Sequence, residues 1–371
     1  MTEADLRAGP GALASIGLCF GLVTGLLEVA IQLVRQRMLN RILYVGDAFV
    51  WETPVVYGAL FLGLAAAIGL VWLVVRNDRA RLGVAVFAFA FVSAWSLLLL
   101  FPRIHELAAA VLAAGIASRA SSIAASGGSV LQRVMRQTLP GAAVLGLVLA
   151  GVWLAARRDE SRPATTATAR EGAPNILLII LDTVRASELG AYGYERPTTP
   201  RIDRLAASGA LFEAAFSTTS WTLPSHASMF TGRDASALRT NWRTPLEPGV
   251  RTLAESLAAS DYRTAGFTAN LWYTSRATHL NRGFRHYEDY EFTIEQFFKS
   301  SSIGQFASRH WPGHAHRRAR VHRWINDRRN AADVRAHFLR WLEENDGGSA
   351  PFFAFLNFFD AHQPYWAPAE Y

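Results

Sequence analysis

Three short stretches carry side chains suited to nucleophilic chemistry on an anion. Asp182 follows an unbroken apolar run, N-I-L-L-I-I-L at 175–181, and Thr183 and Arg185 come directly after it. In open α/β sheets, functional groups collect just beyond the carboxyl ends of strands. A second apolar run, 352–358, ends in the same way, with Asp360 and then His362. Between the two lies S-W-T-L-P-S-H-A-S-M-F-T-G at 220–232, which holds Thr222 and His226. Pro224 suits the first turn of a helix, so Thr222 falls at or just before a helix N-terminus. Backbone N–H groups and the helix dipole favour an anion there. A hydroxyl at that spot, beside a metal held by Asp182, is open to activation as an alkoxide nucleophile.

The elements that would position these groups alternate between strand and helix. The run at 175–181 suits a strand buried on both faces of a parallel sheet. Helical patterns follow at 200–208, 225–230 and 250–260, a strand at 263–268, a long helix at 330–344 and the buried strand at 352–358. Such alternation predicts an α/β domain with a mostly parallel sheet. No internal repeat is present.

The first 156 residues have another texture. The 371-residue chain is 51% hydrophobic and only 18% charged, with net charge +7. That average hides long uncharged runs at 12–34 (broken by Glu28), 55–75, 83–101 and 138–156, each near the ~20 residues a membrane-crossing helix needs. A fifth run, 107–117, is too short to be assigned as a span and reads as re-entrant, interfacial or one end of a helix. The prediction is therefore four spans and one doubtful one, with no cleavable signal ahead of them. Arginines near the membrane tie at seven on each side, so the positive-inside rule does not orient the bundle. Glu28, an acid within a span, reads as a carboxyl facing the bundle interior and bonded to Gln32 or another helix. Residues 157–174 form a Thr-, Ala- and Pro-rich linker. The single Cys19 excludes an intramolecular disulfide and any cysteine-based metal cluster.

From Pro174 onward the chain resembles the sulfatase family, a branch of the alkaline phosphatase superfamily. The resemblance rests on six stretches in order: N-I-L-L-I-I-L-D-T-V-R; G-A-Y-G-Y-E-R-P-T-T-P-R-I-D-R-L-A; T-L-P-S-H-A-S-M-F-T-G; T-L-A-E-S-L-A-A-S-D-Y-R-T-A-G-F; R-G-F-R-H-Y-E; and P-F-F-A-F-L-N-F-F-D-A-H-Q-P-Y. It implies Asp182 as a metal ligand and Thr222 as the nucleophile, itself beside the metal. His226 stands where the family's Arg follows Pro-Ser and, with His362, would be catalytic by stabilising the anion; His362 would contact the transferred group or the leaving oxygen. Arg185, Asn270 and Asp360 are the candidate substrate contacts; Arg185 is open equally to a structural role, and Asp360 to orienting His362 or capping its loop. The implied cofactor is a divalent metal ion (Zn, Mn, Ca or Mg).

The sequence also departs from that pattern. Typical members carry Cys or Ser, oxidised to formylglycine, where Thr222 stands, and Thr cannot be so converted. Thr183 replaces a common second Asp, and Thr268–Trp272 replaces a Gly-Lys-Trp-His-like segment. A Thr nucleophile below several N-terminal spans is similar to the phosphoethanolamine and phosphoglycerol transferases of bacterial envelopes. That resemblance implies a multi-pass protein of the cell (inner or plasma) membrane with residues 175–371 outside the cytoplasm. The expected organisation is a transmembrane helical domain at 1–156, a linker at 157–174 and the N-terminal part of a sulfatase-like catalytic domain at 175–371. The expected partners are the lipid bilayer and a phosphate- or sulfate-ester substrate, possibly lipid-linked. Two alternatives stay open: a sulfuric ester hydrolase working without formylglycine, and a non-catalytic membrane scaffold or binding module. Family members complete their metal site with an Asp-His or Asp-Asn pair after the D-x-H-x-P-Y stretch, and none follows His362. The expectation is a C-terminally incomplete domain, inactive alone.

Residues 309–340 hold nine Arg against two Asp, together with five His. In a membrane context this predicts no nucleic-acid partner. The reading is a solvated basic face that docks anionic lipid headgroups, with His314 and His316 as weaker metal candidates.

Overall fold

The computed structural model describes residues 10–72, 78–126, 128–160, 172–310, 328–345, 350–363 and 365. The chain divides into two units: 1–39 with 45–159 and 291–316, and 40–44 with 160–290 and 317–371.

The first unit is helical. Helix α1 (Pro10–Leu39) carries glycines every fourth residue, Gly17, Gly21 and Gly25, which fall on one face. That face meets α2 (Phe49–Trp72) backbone to backbone. A Cβ at Gly21 would lie 2.6 Å from the Tyr57 carbonyl oxygen, and one at Gly17 would lie 2.9 Å from that of Phe61. Small residues permit this approach where apolar solvent gives helices no hydrophobic reason to associate. Around the seam, Leu13, Ile16, Tyr57, Phe61 and Phe89 are buried, the last from α3 (Asp78–Leu99). Helices α4 (Glu106–Ser126) and α5 (Gly128–Glu160) complete a set of five that are long and apolar enough to cross a membrane. The run at 107–117, expected to be too short, is thus part of a 21-residue helix. The Ala- and Ser-rich residues after Ala117 hold no helix breaker, so the helix continues through them.

The second unit is built on four parallel strands in the order β1-β4-β2-β3: β1 (Ile176–Leu181), β2 (Arg263–Thr268), β3 (His286–Glu288) and β4 (Phe352–Phe358). Side-chain alternation along β4 sorts its residues onto two faces. Phe353 and Phe355 join Leu223, Ala227 and Phe230 of α7 (Thr222–Thr231) and Ala254 of α8 (Leu253–Ala258). Ala354 and Leu356 join Ala265 and Phe267 of β2 against Val334, Phe338 and Trp341 of a long helix, α11 (Ala331–Glu344). Each buried Phe contributes on the order of 1.5–3 kcal/mol.

The predicted strands at 263–268 and 352–358 match the observed ones. The prediction for 175–181 needs correction, because among the described residues β1 is an edge strand paired with β4 alone. Its Ile176, Leu178 and Ile180 pack inward, while Leu177 and Ile179 are 45% and 47% exposed. An uninterrupted apolar run does not reveal whether one face or both will be covered.

Candidate active site

The site gathers at the carboxyl ends of β1, β4 and β2. The Asp182 N–H extends the ladder by donating to the Phe358 carbonyl at 2.9 Å, and its carboxylate is buried. Thr183 then turns the chain off the sheet in the left-handed region (φ +64°), and its hydroxyl donates to the Ala361 carbonyl at 3.2 Å. Both strand-end turns are thereby tied together.

Thr222 is the first residue of α7, with Trp221 before it in extended conformation. Its hydroxyl donates to Asp182 at 3.2 Å (Oδ2) and 3.4 Å (Oδ1). Asn270, just past β2, donates from Nδ2 to the same Oδ2 at 3.2 Å. Hydroxyl, carboxylate and carboxamide thus converge at the positive end of a helix, where a negative group is stabilised.

His226 sits one turn into α7, buried beneath Thr222, with its ring edge-on to Phe355 at 5.8 Å between centroids. Nδ1 lies 2.8 Å from the Thr222 carbonyl, which only accepts, so Nδ1 carries the proton. Nε2, left as acceptor, faces the Asn357 amide nitrogen at 3.5 Å. Burial pushes the imidazole below its ordinary value, opposed by the Asp182 carboxylate and the Thr222 carbonyl. Both ring nitrogens of this neutral side chain are turned toward protein groups, so His226 props the helix that presents Thr222.

Asp360, His362 and Arg185 bond to other partners. The Asp360 carboxylate accepts from the Ala331 N–H at 3.1 Å, at the start of α11, and its buried Oδ2 has no hydrogen-bond partner among the described residues. That bond caps the start of α11, a role different from the two left open for Asp360. Burial lowers the pKa of nearby Arg328, and Asp360 opposes the shift. The His362 ring stacks on Phe359 at 4.2 Å, its Nδ1 is 2.5 Å from the Gln363 carbonyl, and its own carbonyl accepts from Arg328 at 3.3 Å. Arg185 is exposed and pairs with Glu188 at 3.3 Å. His314 and His316, with most of the basic stretch, lie outside the described residues.

Two features were not anticipated. Asn357 is fully buried inside β4, and its Oδ1 accepts from the Asn270 N–H at 3.0 Å. The signal was present, because a polar residue in F-F-A-F-L-N-F is costly to bury unless bonded. The other is an aromatic shelf beside Thr222: Trp221 stacks on Trp242 at 5.4 Å, and the Arg243 guanidinium lies 3.8 Å from the centre of the Trp242 ring.

The family model named Sulfatase matches residues 174–371, more than half of the chain. The chain belongs to the sulfatase family. Among curated proteins it is similar to arylsulfatase A of Bos taurus, 40% identical over 99 residues, or 24% of this chain and 19% of that protein. Human iduronate 2-sulfatase is 42% identical over 89 residues, 24% of this chain and 15% of the relative. The arylsulfatase of Clostridium perfringens is 35% identical over 94 residues, 25% and 19% respectively. The matched stretches thus span less than a fifth of each relative's length. A solved structure, the phosphonate monoester hydrolase of Agrobacterium radiobacter, aligns with TM-score 0.38 and 24% identity over 53% of this chain and 43% of that one.

Hydrolases of this family generally use a divalent metal ion. Here Asp182, Thr222 and Asn270 supply one charged and two neutral groups, with Asn270 turning its N–H₂ toward the carboxylate. Among the described residues no cluster of three His, Cys, Asp or Glu side chains is placed to hold a metal. A hard cation takes roughly six oxygen ligands or more. The described donors do not fit a complete metal site.

Proposed function

We propose that this chain hydrolyses or transfers a phosphate or sulfate ester through Thr222, from a domain held to a membrane by five N-terminal spans. The observation that carries the reading is the Thr222 hydroxyl at the head of α7, 3.2 Å from the Asp182 carboxylate. In the proposed step, Thr222 Oγ1 attacks the phosphorus or sulfur in line while its proton passes to Asp182. The bond to the leaving alcohol breaks as the bond to Oγ1 forms, and the alcohol takes its proton from solvent. Asn270 holds the carboxylate oriented, and the N-terminal dipole of α7 favours the charge on the transferred group. Water or an acceptor hydroxyl then attacks the esterified Thr222 and releases its own proton to solvent, while the departing Thr222 oxygen regains its proton from Asp182. The rest of the substrate would lie on Trp221 and Trp242, which flank the hydroxyl.

The five apolar helices support placement in a cell (inner or plasma) membrane, with the catalytic part outside the cytoplasm and a lipid-linked ester within reach. Transfer of a phosphoethanolamine- or phosphoglycerol-type group fits a Thr nucleophile. Similarity to arylsulfatases and to iduronate 2-sulfatase supports sulfate ester hydrolysis as a second reading. Parallel assays of the full chain with an aryl sulfate and a phosphodiester separate the two. In whichever assay shows turnover, Thr222→Ala should abolish it, because no other hydroxyl is bonded to Asp182 among the described residues. Undiminished turnover in that variant would refute the assignment.

A further inference from the structure

Residues 291–310 lie inside the stretch that matches the family model, yet they pack with the membrane helices as part of the first unit. They form a helical hairpin. Thr293 caps α9 (Ile294–Lys299) by accepting from the Gln296 N–H at 3.1 Å, and α10 (Ser302–His310) follows after a two-residue turn. The turn is tight because Gly304 allows it: a Cβ there would run into the Phe298 carbonyl oxygen.

The turn is plugged into the bundle. Glu28, fully buried on α1, accepts from the Ser302 N–H at 2.7 Å, the Ser302 hydroxyl at 2.8 Å, the Tyr57 hydroxyl at 2.7 Å and the Gln32 amide at 3.3 Å. Its carboxylate thus sits at the N-terminus of α10, where the helix dipole stabilises a negative charge. The Thr53 hydroxyl adds a bond to the Ser300 carbonyl at 2.9 Å, and Phe306 packs edge-on to Trp95 at 4.9 Å. Tyr57 is eight residues into α2, so the turn reaches roughly 12 Å below the start of that helix. Glu28, expected to bond to Gln32 or another helix, bonds to Gln32 and to Tyr57 of α2, and the further partner is the hairpin.

The outer side of the same hairpin is apolar and bare. Phe292, Ile294 and Phe298 are 70%, 78% and 51% exposed. Phe292 stacks on Trp51 at 6.2 Å, and Trp51 meets Trp153 at 5.8 Å. These two Trp stand near the start of α2 and toward the end of α5, which is the same end of an antiparallel bundle. Trp at helix ends marks a membrane–water interface. Charged partners on the hairpin are paired at that level: Glu295 with Lys299 at 2.8 Å, and His310 with Glu106 at 3.5 Å.

We propose that Phe292, Ile294 and Phe298 form a lipid-facing foot that enters the acyl–headgroup boundary of the bilayer, held there by the Ser300–Ser302 turn on Glu28. The catalytic chain would then be anchored a second time, from within its own sequence. Apolar side chains at this boundary bind in proportion to their buried area. The inference rests on the five-span reading, and the test separates the two.

Cys19 is the chain's only cysteine, so Cys19→Ser gives a clean background. Ile294→Cys and Phe298→Cys, at exposed positions that tolerate change, are spin-labelled in the full chain reconstituted in phosphatidylcholine–phosphatidylglycerol vesicles. Leu147→Cys, at a 74% exposed position on α5, serves as the span reference. The expected result is a collision rate with oxygen above that with a water-soluble nickel chelate at all three sites. Nickel-dominated collisions at 294 and 298, with oxygen-dominated collisions at 147, would overturn the foot and leave the spans standing. Nickel dominance at 147 as well would overturn both. Glu28→Leu leaves the Ser302 N–H without its acceptor and should raise label mobility and nickel access at 298. Glu28→Gln, which keeps an acceptor, should not. Unchanged labels in Glu28→Leu would refute the role of Glu28 as the anchor.

Discussion

Replacing Asn357 with Leu tests the frame that holds the site. The two side chains have the same number and branching of heavy atoms, so no cavity opens in the Phe-rich strand. What is lost is the acceptor for the Asn270 N–H, a 3.0 Å bond in a fully buried setting. Stranding a buried N–H costs about 1–3 kcal/mol. The 3.5 Å contact to His226 is at the limit of a hydrogen bond and contributes little to that figure. If opening is local, 1–3 kcal/mol corresponds to roughly 5- to 150-fold faster exchange of the Asn270 amide. Hydrogen exchange read by mass spectrometry on a peptide covering 268–273 measures this in the full chain. Asn357→Asp keeps an oxygen in place and should retain most of the protection. The reasoning fails if Asn357→Leu leaves Asn270 exchange unchanged. It fails equally if the Asp variant loses protection to the same extent across β2 and β4, because the loss would then be global.

Gly21→Leu should disrupt the α1–α2 seam, where a Cβ already meets the Tyr57 carbonyl at 2.6 Å, at a cost of about 1–3 kcal/mol or more. Gly63→Leu on α2, with nothing within 4 Å, is the neutral control, and thermal stability in detergent compares the pair. A third prediction concerns Glu288, whose carboxylate is bonded to His286 at 2.7 Å, to His337, and to Arg329 at 3.4 Å. Burial alone would raise its pKa, but the bonds and charges of His286 and His337 bring it down to about 2, from 4.5. A depressed carboxylate stabilises the fold fully above its unfolded value and loses that contribution as pH falls through the native one. The stability difference between wild type and Glu288→Gln should therefore be fully present just above about pH 4.5 and shrink as the pH falls toward 2. A difference that grows as the pH falls through this window would contradict the assignment.

Much of the catalytic unit was legible because its signals are local. The bounds of β2 and β4, the helix over 331–344 and the start of α7 at Thr222 follow from periodicity, flanking Pro and Gly, and capping chemistry. Asp182 and Thr222 were identified from their places at a strand end and a helix start. Asn270 came only with the family resemblance. His226 was assigned to the anion, yet its burial and both ring contacts turn it toward the protein. A sequence spacing says which helix face a side chain occupies and not what that face meets. Asp360 shows the same limit, because its partner, the Ala331 N–H, comes from a helix 29 positions earlier.

By itself, then, the sequence determined that this chain joins apolar helices to a parallel α/β unit with an Asp at a strand end and a Thr at a helix start. Those facts depend on composition and on repeats of two or 3.6 residues, which any short window contains. Tertiary structure alone decided which partners meet across long separations. Ser302 reaches Glu28 from 274 residues away. Ile42, from the loop between α1 and α2, joins the core of the second unit, where neighbouring Tyr44 stacks on Trp272 at 4.8 Å. No window spans such pairs, and each needs the whole chain folded before its contact free energy can offset the entropy of closing so long a loop.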